Sequence, residues 1–315
     1  MKYTLLFLAF CMLPSVVQAK ECVYINSYHA GYAWSDAIEQ VVRQGLQGQC
    51  HLTVFYMDTK RHTSEVYGQQ KALEAKQLIT RIQPDVVLVS DDNASKYLVK
   101  PYYKNSAIPF VFCGINWAAE VYGYPYDNAT GMIEVSPIQA VLRAARETLG
   151  DVKDVLFIGV KGVATDNKEF VWLKKIYAHE DVRVQAIFVH DVETWKQAYL
   201  AGQSADMIVL NNVAGIANWN PQELQRFVQQ HAQTLTVTTY DFMTPYTMFA
   251  MTKVAQEQGD WMVQLAKHVL QGKTLRRIPV VANRRWETFV NLNLLNQAHI
   301  QLPADILFKA VRVLP

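Results

Sequence analysis

The sequence predicts an α/β protein with two Rossmann-like parallel-sheet lobes that are joined by a multi-crossing hinge. Short β-branched runs alternate with helical patterns along most of the chain, which is typical of parallel sheets covered by helices on both faces. A second alternating series begins near Ser136, after a complete first one. At 315 residues the chain also reaches the length at which one hydrophobic core stops growing, so two lobes are expected.

The first series combines strongly apolar strands with amphipathic helices. Its predicted strands cover residues 23–25, 52–55, 85–89 and 109–113. Between them the apolar spacing predicts helices over about 34–46 and 64–82, and a short helix after Asn93. Each strand is therefore followed by a crossover, as a parallel sheet requires.

The second series starts with a helix that has Pro137 at its first position and ends before Gly150. Predicted strands follow at residues 155–160, 184–189, 207–210 and 235–238. The intervening helices begin at Asp166 or Asn167, at Asp191, and at the pair 220–221, which is Asn-Pro. This half repeats the architecture of the first.

The last part of the chain breaks the alternation. Predicted strands at 248–252, 278–282 and 289–291 surround a helix over 259–270, and a helical segment over 303–311 comes last. These elements complete both sheets only if they are shared between the lobes. We expect residues 20–116 with about 252–275 in the first lobe, and residues 117–251 with about 276–315 in the second.

The N-terminus has the features of a secretory signal peptide over residues 1–19. Lys2 precedes an apolar run that is too short to span a membrane, and Ala19 ends a small-residue cleavage site. A lipid anchor on Cys11 is the alternative interpretation. We expect export to the periplasm. Loss of Lys2 with residues 1–19 changes the net charge from +2 to near +1, which offers no field for nucleic acid or an anionic membrane.

Cleavage leaves three cysteines in an oxidising compartment, enough for one disulfide. Cys22 and Cys50 each stand just before a predicted strand. If these strands are parallel neighbours, their starting ends lie side by side and a disulfide between Cys22 and Cys50 becomes geometrically reasonable. Cys113 ends an apolar strand and is interpreted as a buried thiol.

Five segments in order resemble the ABC transporter substrate-binding proteins of the periplasmic binding protein type I fold, in the branch related to sensor domains of bacterial kinases and diguanylate cyclases. These segments are residues 27–34, 56–61, 90–94, 111–116, and 290–291 with 300–303. The resemblance implies a small-molecule ligand between the lobes, no cofactor, and an inner-membrane partner. That partner is an ABC permease that imports the ligand, or a membrane sensor protein that responds to occupancy. The resemblance does not imply a particular ligand.

Ligands bind outside the carboxyl ends of the strands in open parallel α/β sheets. This rule selects polar and aromatic residues that follow the predicted strands. In the first lobe the candidate ligand-binding residues are Ser27, Tyr28, His29, Tyr32, Trp34, Asp58, Ser90, Asp91, Asp92 and Asn116. In the second lobe they are Thr165, Asp166, Asn211, Tyr240 and Asp241.

The chemistry of this set favours an amine or a zwitterion with an apolar body. Asp91 or Asp241 is suited to an ammonium group, and the aromatic side chains at 28, 32 and 34 are suited to a ring or a cation. Helix N-termini after Asn93 and Asp166 offer backbone N–H groups to a carboxylate. We expect an amino acid, aromatic or otherwise, or a related amine.

Each candidate also has a structural interpretation. Asn93 and Asp92 are residue types that cap helices, and Trp34 lies on or near the buried face of its helix. His29 is compatible with a role in a turn. Residues 60–62, Lys-Arg-His, are interpreted as a solvated loop rather than an anion site.

Enzymatic and regulatory functions lack their usual signatures. The sequence has no G-x-S-x-G, P-loop or G-x-G-x-x-G motif, and no H-x-x-x-H pair for zinc. Repressors of the lactose-repressor type share the two-lobed core but carry a helix-turn-helix where this chain has the signal peptide. We therefore expect a monomeric binding protein without catalytic residues, metal or nucleic-acid partner, with an enzyme on the same fold as the remote alternative.

Overall fold

The computed structural model describes residues 19–313, so the predicted signal peptide and Cys11 lie outside the described residues. Strands are numbered along the chain. They are β1 (Glu21–Asn26), β2 (His51–Tyr56), β3 (Val86–Ser90), β4 (Phe110–Asn116), β5 (Ala129–Glu134), β6 (Asp154–Val160), β7 (Arg183–Val189), β8 (Met207–Leu210), β9 (Leu235–Thr238), β10 (Phe249–Lys253), β11 (Val281–Ala282), β12 (Trp286–Asn291) and β13 (Val311–Val313).

Helices connect the strands in nearly every crossover. They are α1 (Ala33–Leu46), α2 (Glu65–Ile82), α3 (Asp91–Ala94), α4 (Lys100–Tyr102), α5 (Ile138–Leu149), α6 (Ala164–Ala178), α7 (Val192–Gly202), α8 (Pro221–His231), α9 (Ala255–Leu270), α10 (Leu292–Gln297) and α11 (Ala304–Lys309). A π-helical turn, Ser95–Val99, joins α3 to α4. None of the described helices is long and apolar enough to cross a bilayer.

The strands form two separate sheets, as the fold class predicts. The first sheet has the order β11-β5-β4-β3-β1-β2, and the second has the order β13-β12-β10-β9-β8-β6-β7. All described strand pairs within the sheets are parallel except β10 with β12. Central strand β3 is buried at every residue because helices cover both faces of its sheet. The two-lobed α/β prediction is confirmed.

Strand pairing corrects the expected division of the chain. Residues 129–134 and 281–282 were expected in the second lobe, but they pair within the first sheet as β5 and β11. Strand β5 was missed because its sequence, ATGMIE, is not the continuous apolar run that marks its neighbours. A side chain at Gly131 would collide with the Phe112 carbonyl, so glycine here permits the close approach of β5 to β4.

Three crossings connect the lobes, which fits the multi-crossing hinge. They run from β5 to α5, from β10 to α9, and from β11 to β12. The Asn283 side chain accepts a hydrogen bond from the Val135 N–H at 2.7 Å, which ties the first crossing to the third. The hinge is therefore a narrow strip of neighbouring segments.

Helix starts follow the predicted caps in two of the four cases in the second lobe, since α5 begins at Ile138 with Pro137 as its cap residue and not as its first residue. The Asp191 side chain forms a capping box before α7, and the Asn220 side chain accepts from the third residue of α8. Helix α6 was expected to begin at Asp166 or Asn167, but it begins at Ala164. The Asp166 carboxylate is turned inward, where it accepts from the Val160 N–H at 2.6 Å.

Neighbouring parallel strands β1 and β2 bring the two N-terminal cysteines together. Cys22 and Cys50 form a disulfide across 28 residues of sequence, with Cα atoms 5.9 Å apart. Cys113 is a buried free thiol. Burial and the nearby carboxylates of Asp91 and Glu134 raise its pKa, which keeps the thiol protonated.

Candidate ligand-binding cleft

Residues at the carboxyl ends of the two sheets contact each other, and the candidate ligand-binding cleft lies between them. The Lys168 ammonium of α6 lies 3.2 Å from the Asp92 carboxylate, which follows strand β3 in the first lobe. At a second point the Trp117 indole N–H, which follows strand β4, donates to the Glu169 carboxylate at 2.9 Å. Both contacts join the first lobe to the N-terminal part of α6.

A buried ion pair forms the floor of the cleft at the hinge. Glu134 ends β5 and Lys253 ends β10, and their charged atoms are 2.7 Å apart with side chains 9% and 7% exposed. The Lys253 ammonium also lies 4.5 Å from the Tyr240 ring centroid. Burial disfavours the charged lysine, but Glu134, Tyr240 and Glu169 outweigh it and raise the Lys253 pKa. Lysine therefore stays charged between two hinge crossings.

Trp117 anchors the first lobe to the second. Its ring is stacked on Trp172 with centroids 5.3 Å apart, and it packs in the apolar core of the second lobe. The Trp117 backbone has φ 67°, a left-handed conformation that is unusual for a bulky residue. Glu169 also accepts from the Thr239 hydroxyl at 3.4 Å. Burial raises the Glu169 pKa, while Lys253 and the hydrogen-bond donors oppose that rise.

Asp91 is the buried carboxylate of the cleft that has the poorest compensation. It is 2% exposed, and its Oδ2 atom has no hydrogen-bond partner among residues 19–313. Its pKa is raised well above the usual value by burial, by Glu134 and by Asp92, and Lys60 opposes the rise. Its backbone has φ 66°, so a non-glycine residue is held in a strained conformation at the strand end.

Other polar atoms of the first lobe are also buried without a partner in the described chain. Strand register places Asn26 opposite Ser90, which is the residue before Asp91. Helix α1 is the next element after β1, and in its first turn Ser35 is buried on the same face as Ile38 while Trp34 packs against the core of the first lobe. The atoms concerned are Asn26 Nδ2, the Trp34 indole N–H, Ser35 Oγ and Asp91 Oδ2. Because most buried polar groups in proteins are satisfied, these atoms are available to ordered water or to a ligand.

Two tyrosine rings and a lysine form an aromatic corner beside these groups. Tyr28 and Tyr32 meet edge to face at 5.2 Å between centroids, and the Lys60 ammonium lies 4.9 and 5.0 Å from the two rings. The Tyr28 pKa is raised by burial and then by Asp91 and Asp92, so the ring lies in the field of these carboxylates. The ring of His29 is 6.1 Å from Tyr32.

Several first-lobe candidates are already occupied by contacts within the protein. The Ser27 hydroxyl donates to the Ser90 carbonyl at 2.5 Å and accepts from the Ala94 N–H at 2.8 Å. The Ser90 hydroxyl accepts from Tyr24 at 3.0 Å. These serines fix the end of β1 to the end of β3, which is a structural role.

Asp58 is held by cations of its own loop. Arg61 binds both of its oxygens at 2.8 and 2.7 Å, while His62 and His29 lie 3.6 and 3.9 Å away. The hydrogen bonds from Arg61 lower the Asp58 pKa, although its slight burial opposes this. Residues 60–62 are exposed, as expected for a solvated loop, and Arg61 and His62 also contact Asp58.

Asp92 and Asn116 are joined to each other. The Asp92 carboxylate accepts from Asn116 Nδ2 at 2.8 Å and from the Tyr122 hydroxyl at 2.7 Å. Asn93 does not cap a helix, because α3 begins at Asp91, and its amide donates to the Thr59 hydroxyl at 2.9 Å. The helix thus starts before the predicted position, and its Ala94 N–H is already bonded to the Ser27 hydroxyl.

In the second lobe the candidate residues differ in their solvent exposure and in whether their polar atoms are already hydrogen-bonded. Asp166 accepts from Val160 and from Asn212 Nδ2 at 3.0 Å, and Thr165 is half-buried beside it. Asn211 is 1% exposed, and neither of its amide atoms has a partner in the described part of the chain. Asp241 is exposed and accepts from the Phe242 N–H at 2.7 Å. The described residues contain no group of three metal-ligating side chains.

Six buried polar or aromatic residues of the two lobes and the hinge were not predicted from the sequence. The list is Asn26, Ser35, Trp117, Glu134, Glu169 and Lys253. Glu134 ends an unrecognised strand, and Trp117 and Asn26 lie next to segments that had been singled out. Lys253 and Glu169 gave no sequence signal, because their roles depend on contacts between the lobes.

Comparison with known proteins identifies the family. The family model described as ABC transporter substrate binding protein matches residues 35–314. The chain belongs to this family. The resemblance seen in the sequence is thus confirmed, and a small-molecule solute-binding role follows at the level of the family. A search of the curated proteins finds no match for this substrate-binding protein.

Solved structures with the same fold cover nearly all of this substrate-binding protein. A ligand-free, open substrate-binding protein with adhesive properties from Clostridium difficile has a TM-score of 0.69 and 11% identity, and the alignment covers 93% of this chain and 99% of that one. An ABC domain in complex with L-Trp from Streptococcus pneumoniae has a TM-score of 0.66 and 14% identity, and the alignment covers 94% of this chain and 100% of that one. A conserved domain protein from Vibrio cholerae has a TM-score of 0.64 and 16% identity, with 94% and 99% covered. At these identities the likeness concerns the fold.

Proposed function

We propose that this protein is an exported, non-catalytic solute-binding protein that captures a small ammonium-bearing ligand between its lobes and delivers it to an inner-membrane ABC permease. The ligand is an amino acid or amine with an aromatic or otherwise apolar body. Hinge rotation about the three crossings buries it, and the permease recognises the closed form. The mature chain begins at Lys20 and acts as a monomer in the periplasm.

The buried Asp91 carboxylate is the observation that supports an ammonium group. Removing a carboxylate from water costs several kcal/mol unless a cation or donors compensate it. Glu134 has Lys253 at 2.7 Å and Glu169 has the Trp117 N–H at 2.9 Å, whereas no atom of the described chain bonds to Asp91 Oδ2. A ligand ammonium would supply the missing positive charge and hydrogen bond.

The aromatic corner supports the apolar body of the ligand. The Tyr28 ring lies close enough to Asp91 for that carboxylate to raise the Tyr28 pKa, and Tyr32 packs against Tyr28. Trp34 has a half-buried indole whose N–H has no partner in the described structure. Rings pack against aromatic ligands and against cations. The Streptococcus pneumoniae relative in complex with L-Trp is consistent with this ligand class.

A binding panel with paired aspartate variants tests the ligand class. Thermal shift and calorimetry with amino acids, aromatic amines and sugars should give a stabilisation of about 2.7 kcal/mol for a true ligand at a hundredfold excess over its Kd. Asp91→Asn should weaken that binding by about 2–5 kcal/mol. Asp241→Asn, which changes an exposed carboxylate, should leave it unchanged. Binding of sugars alone, or an effect confined to Asp241, would refute the ammonium site.

Uptake and mass measurements test the transport role. A deletion strain should lose uptake of the labelled ligand, and the ligand should be recovered unchanged after incubation with the protein. Intact uptake together with altered kinase or second-messenger output would instead favour the sensing role. The periplasmic form should have the mass of a chain that starts at Lys20, whereas a lipid-modified Cys11 would contradict the proposed processing.

A further inference from the structure

Lys60 holds an unusual position for an exposed lysine. Its ammonium lies within 5.0 Å of the ring centroids of Tyr28 and Tyr32, whose ring planes are at 79° to each other. A cation within about 6 Å of a ring face is attracted by the ring quadrupole. Two rings in this arrangement form a corner that accepts one cation, and Lys60 occupies it.

Neighbouring acidic groups do not explain this position. Asp58 is the nearest acid in sequence, but Arg61 binds both of its oxygens and two histidines flank it. Within residues 19–313 no ion pair or side-chain hydrogen bond holds the Lys60 ammonium. The tyrosine rings are thus the contacts that fix the head of this side chain.

The charge of Lys60 also reaches the buried carboxylate. Lys60 is the cation that opposes the rise in the pKa of Asp91. It therefore partly compensates Asp91 at a distance, without making a hydrogen bond to it. Because Lys60 is exposed, rotation of its side chain alone can move the ammonium group into solvent.

We propose that Lys60 is a tethered competitor that occupies the Tyr28–Tyr32 corner until the cationic group of a ligand displaces it. This inference rests on the proposed function, because it assumes an ammonium-bearing ligand. It makes Lys60 a specificity-determining residue. A cation that satisfies Asp91 and the rings together replaces Lys60, whereas a neutral analogue of the same shape leaves Lys60 in place and binds weakly.

Replacement of Lys60 by methionine tests the competition. Lys60→Met keeps most of the apolar stem and removes the charge, so tryptamine should bind about threefold to tenfold more tightly. Lys76→Met is the matched control, because Lys76 lies 4.6 Å from the Tyr102 ring in another part of the lobe. It should leave the tryptamine affinity unchanged. Indole-3-ethanol, the neutral analogue, should gain much less from Lys60→Met than tryptamine does.

Salt dependence separates direct competition from a change in the long-range field. A long-range effect is screened at high salt, whereas competition for the same ring faces persists. The gain from Lys60→Met should therefore remain at high salt. An equal or weaker affinity of the variant for tryptamine, or a gain that disappears with salt, would overturn the inference.

NMR of the lysine side chain gives an independent measurement. The ε-methylene signal of Lys60, assigned by its loss in Lys60→Met, should show a ring-current shift in the free protein. Saturation with tryptamine should abolish that shift, and a persisting shift would contradict displacement. If neither the wild type nor Lys60→Met binds any amine of the panel, the proposed ligand class fails and the inference fails with it. If the wild type binds but Lys60→Met is no tighter, the inference alone fails.

Discussion

The two sides of the cleft differ in how completely their buried polar groups are satisfied. On the second-lobe side, Asp166 and Glu169 each accept hydrogen bonds from the surrounding chain, and Lys253 neutralises Glu134 at the hinge. On the first-lobe side, Asp91 and the first turn of α1 carry polar atoms without partners in the described structure. The buried carboxylate with an unpaired oxygen therefore lies in the first lobe, whereas the buried carboxylates Asp166 and Glu169 of the second lobe are hydrogen-bonded.

This difference assigns separate tasks to the lobes. The first lobe would make the initial contacts with the ligand, because its donors and acceptor are not already engaged. The second lobe and the hinge would provide a fixed surface that closes over the ligand. The second lobe and the hinge also have buried atoms without a partner among the described residues, at Ser136, Tyr199, Asn211 and Asn283, and of these Asn211 follows the carboxyl end of strand β8. Substitutions on the two sides should therefore separate stability from binding.

The largest expected effect is on the hinge ion pair. Lys253→Met leaves Glu134 buried without its cation, and we expect the free energy of unfolding to fall by about 3–5 kcal/mol. The double variant with Glu134→Gln should recover much of this loss, because the uncompensated charge is then removed. Denaturant unfolding measures both. Lys71→Met, at a surface ion pair with Glu74, serves as the control, and a similar loss there would show that the hinge pair is not special.

The second effect concerns the contact between the lobes at Glu169. Glu169→Ala leaves the buried Trp117 N–H without its acceptor, so the free energy of unfolding should fall by about 2–3 kcal/mol. Glu169→Gln keeps an acceptor oxygen and should recover most of the stability. The intrinsic tryptophan fluorescence of the protein should change with Ala and not with Gln. Equal stability of the Ala variant would remove the distinction between the two sides of the cleft.

Substitution of the first-lobe carboxylate Asp91 should raise the free energy of unfolding, whereas the two preceding substitutions lower it. Asp91→Asn removes a poorly compensated buried charge, so the free protein should become more stable at neutral pH by about 1–2 kcal/mol. The same change should weaken amine binding. One substitution that raises stability and lowers affinity would distinguish a ligand-binding group from a structural one. A loss of stability would mean that Asp91 has a structural partner.

The pH dependence of this effect has a defined direction. Because the folded-state pKa of Asp91 is raised, the folded protein binds its proton more tightly than the unfolded chain does. Its contribution to stability is therefore fully present below the unfolded pKa of about 3.9 and is lost as the pH rises through the folded value. The advantage of Asp91→Asn should grow with pH across that interval. Urea unfolding at several pH values measures it, and a pH-independent difference would contradict the raised pKa.

The sequence was informative where a local pattern determines the structure. Apolar runs located most strands, and the Asn-Pro pair at 220–221 located the start of α8. Rules for parallel sheets also selected Asp91, because it follows a buried strand. The same rules selected Ser27 and Ser90, which the structure uses to fix strand ends. A strand-end rule identifies position but does not tell whether a polar group is already satisfied.

Contacts between distant segments were beyond these patterns. Strand β5 was missed because its residues are small and mixed in character, and the lobe boundary was misplaced as a result. The pairing of Glu134 with Lys253 joins residues that lie far apart in sequence, on two different hinge crossings. Neither residue is unusual in its own segment. Their importance comes from burial, which only the folded arrangement determines.

The smallest effect on stability is expected at Ser35, where a pair of matched substitutions compares the two sides directly. The buried Ser35 hydroxyl has no partner in the part of the chain that the structure describes, so Ser35→Ala should change the free energy of unfolding by no more than about 0.5 kcal/mol. Thr236 is equally buried in the second lobe, but its hydroxyl accepts from the Met248 N–H at 3.0 Å. Thr236→Val should therefore cost about 1 kcal/mol.

Ligand affinity should show the reverse order for these two positions. Ser35→Ala should lower amine affinity by about 0.5–1.5 kcal/mol, because the ligand loses one hydrogen bond, while Thr236→Val should leave it unchanged. Calorimetry on both variants, with unfolding curves recorded on the same samples, makes the comparison. If Ser35→Ala loses stability and keeps its amine affinity, the Ser35 hydroxyl stabilises the fold and does not bind the ligand. The contrast between the lobes would then rest on Asp91 alone.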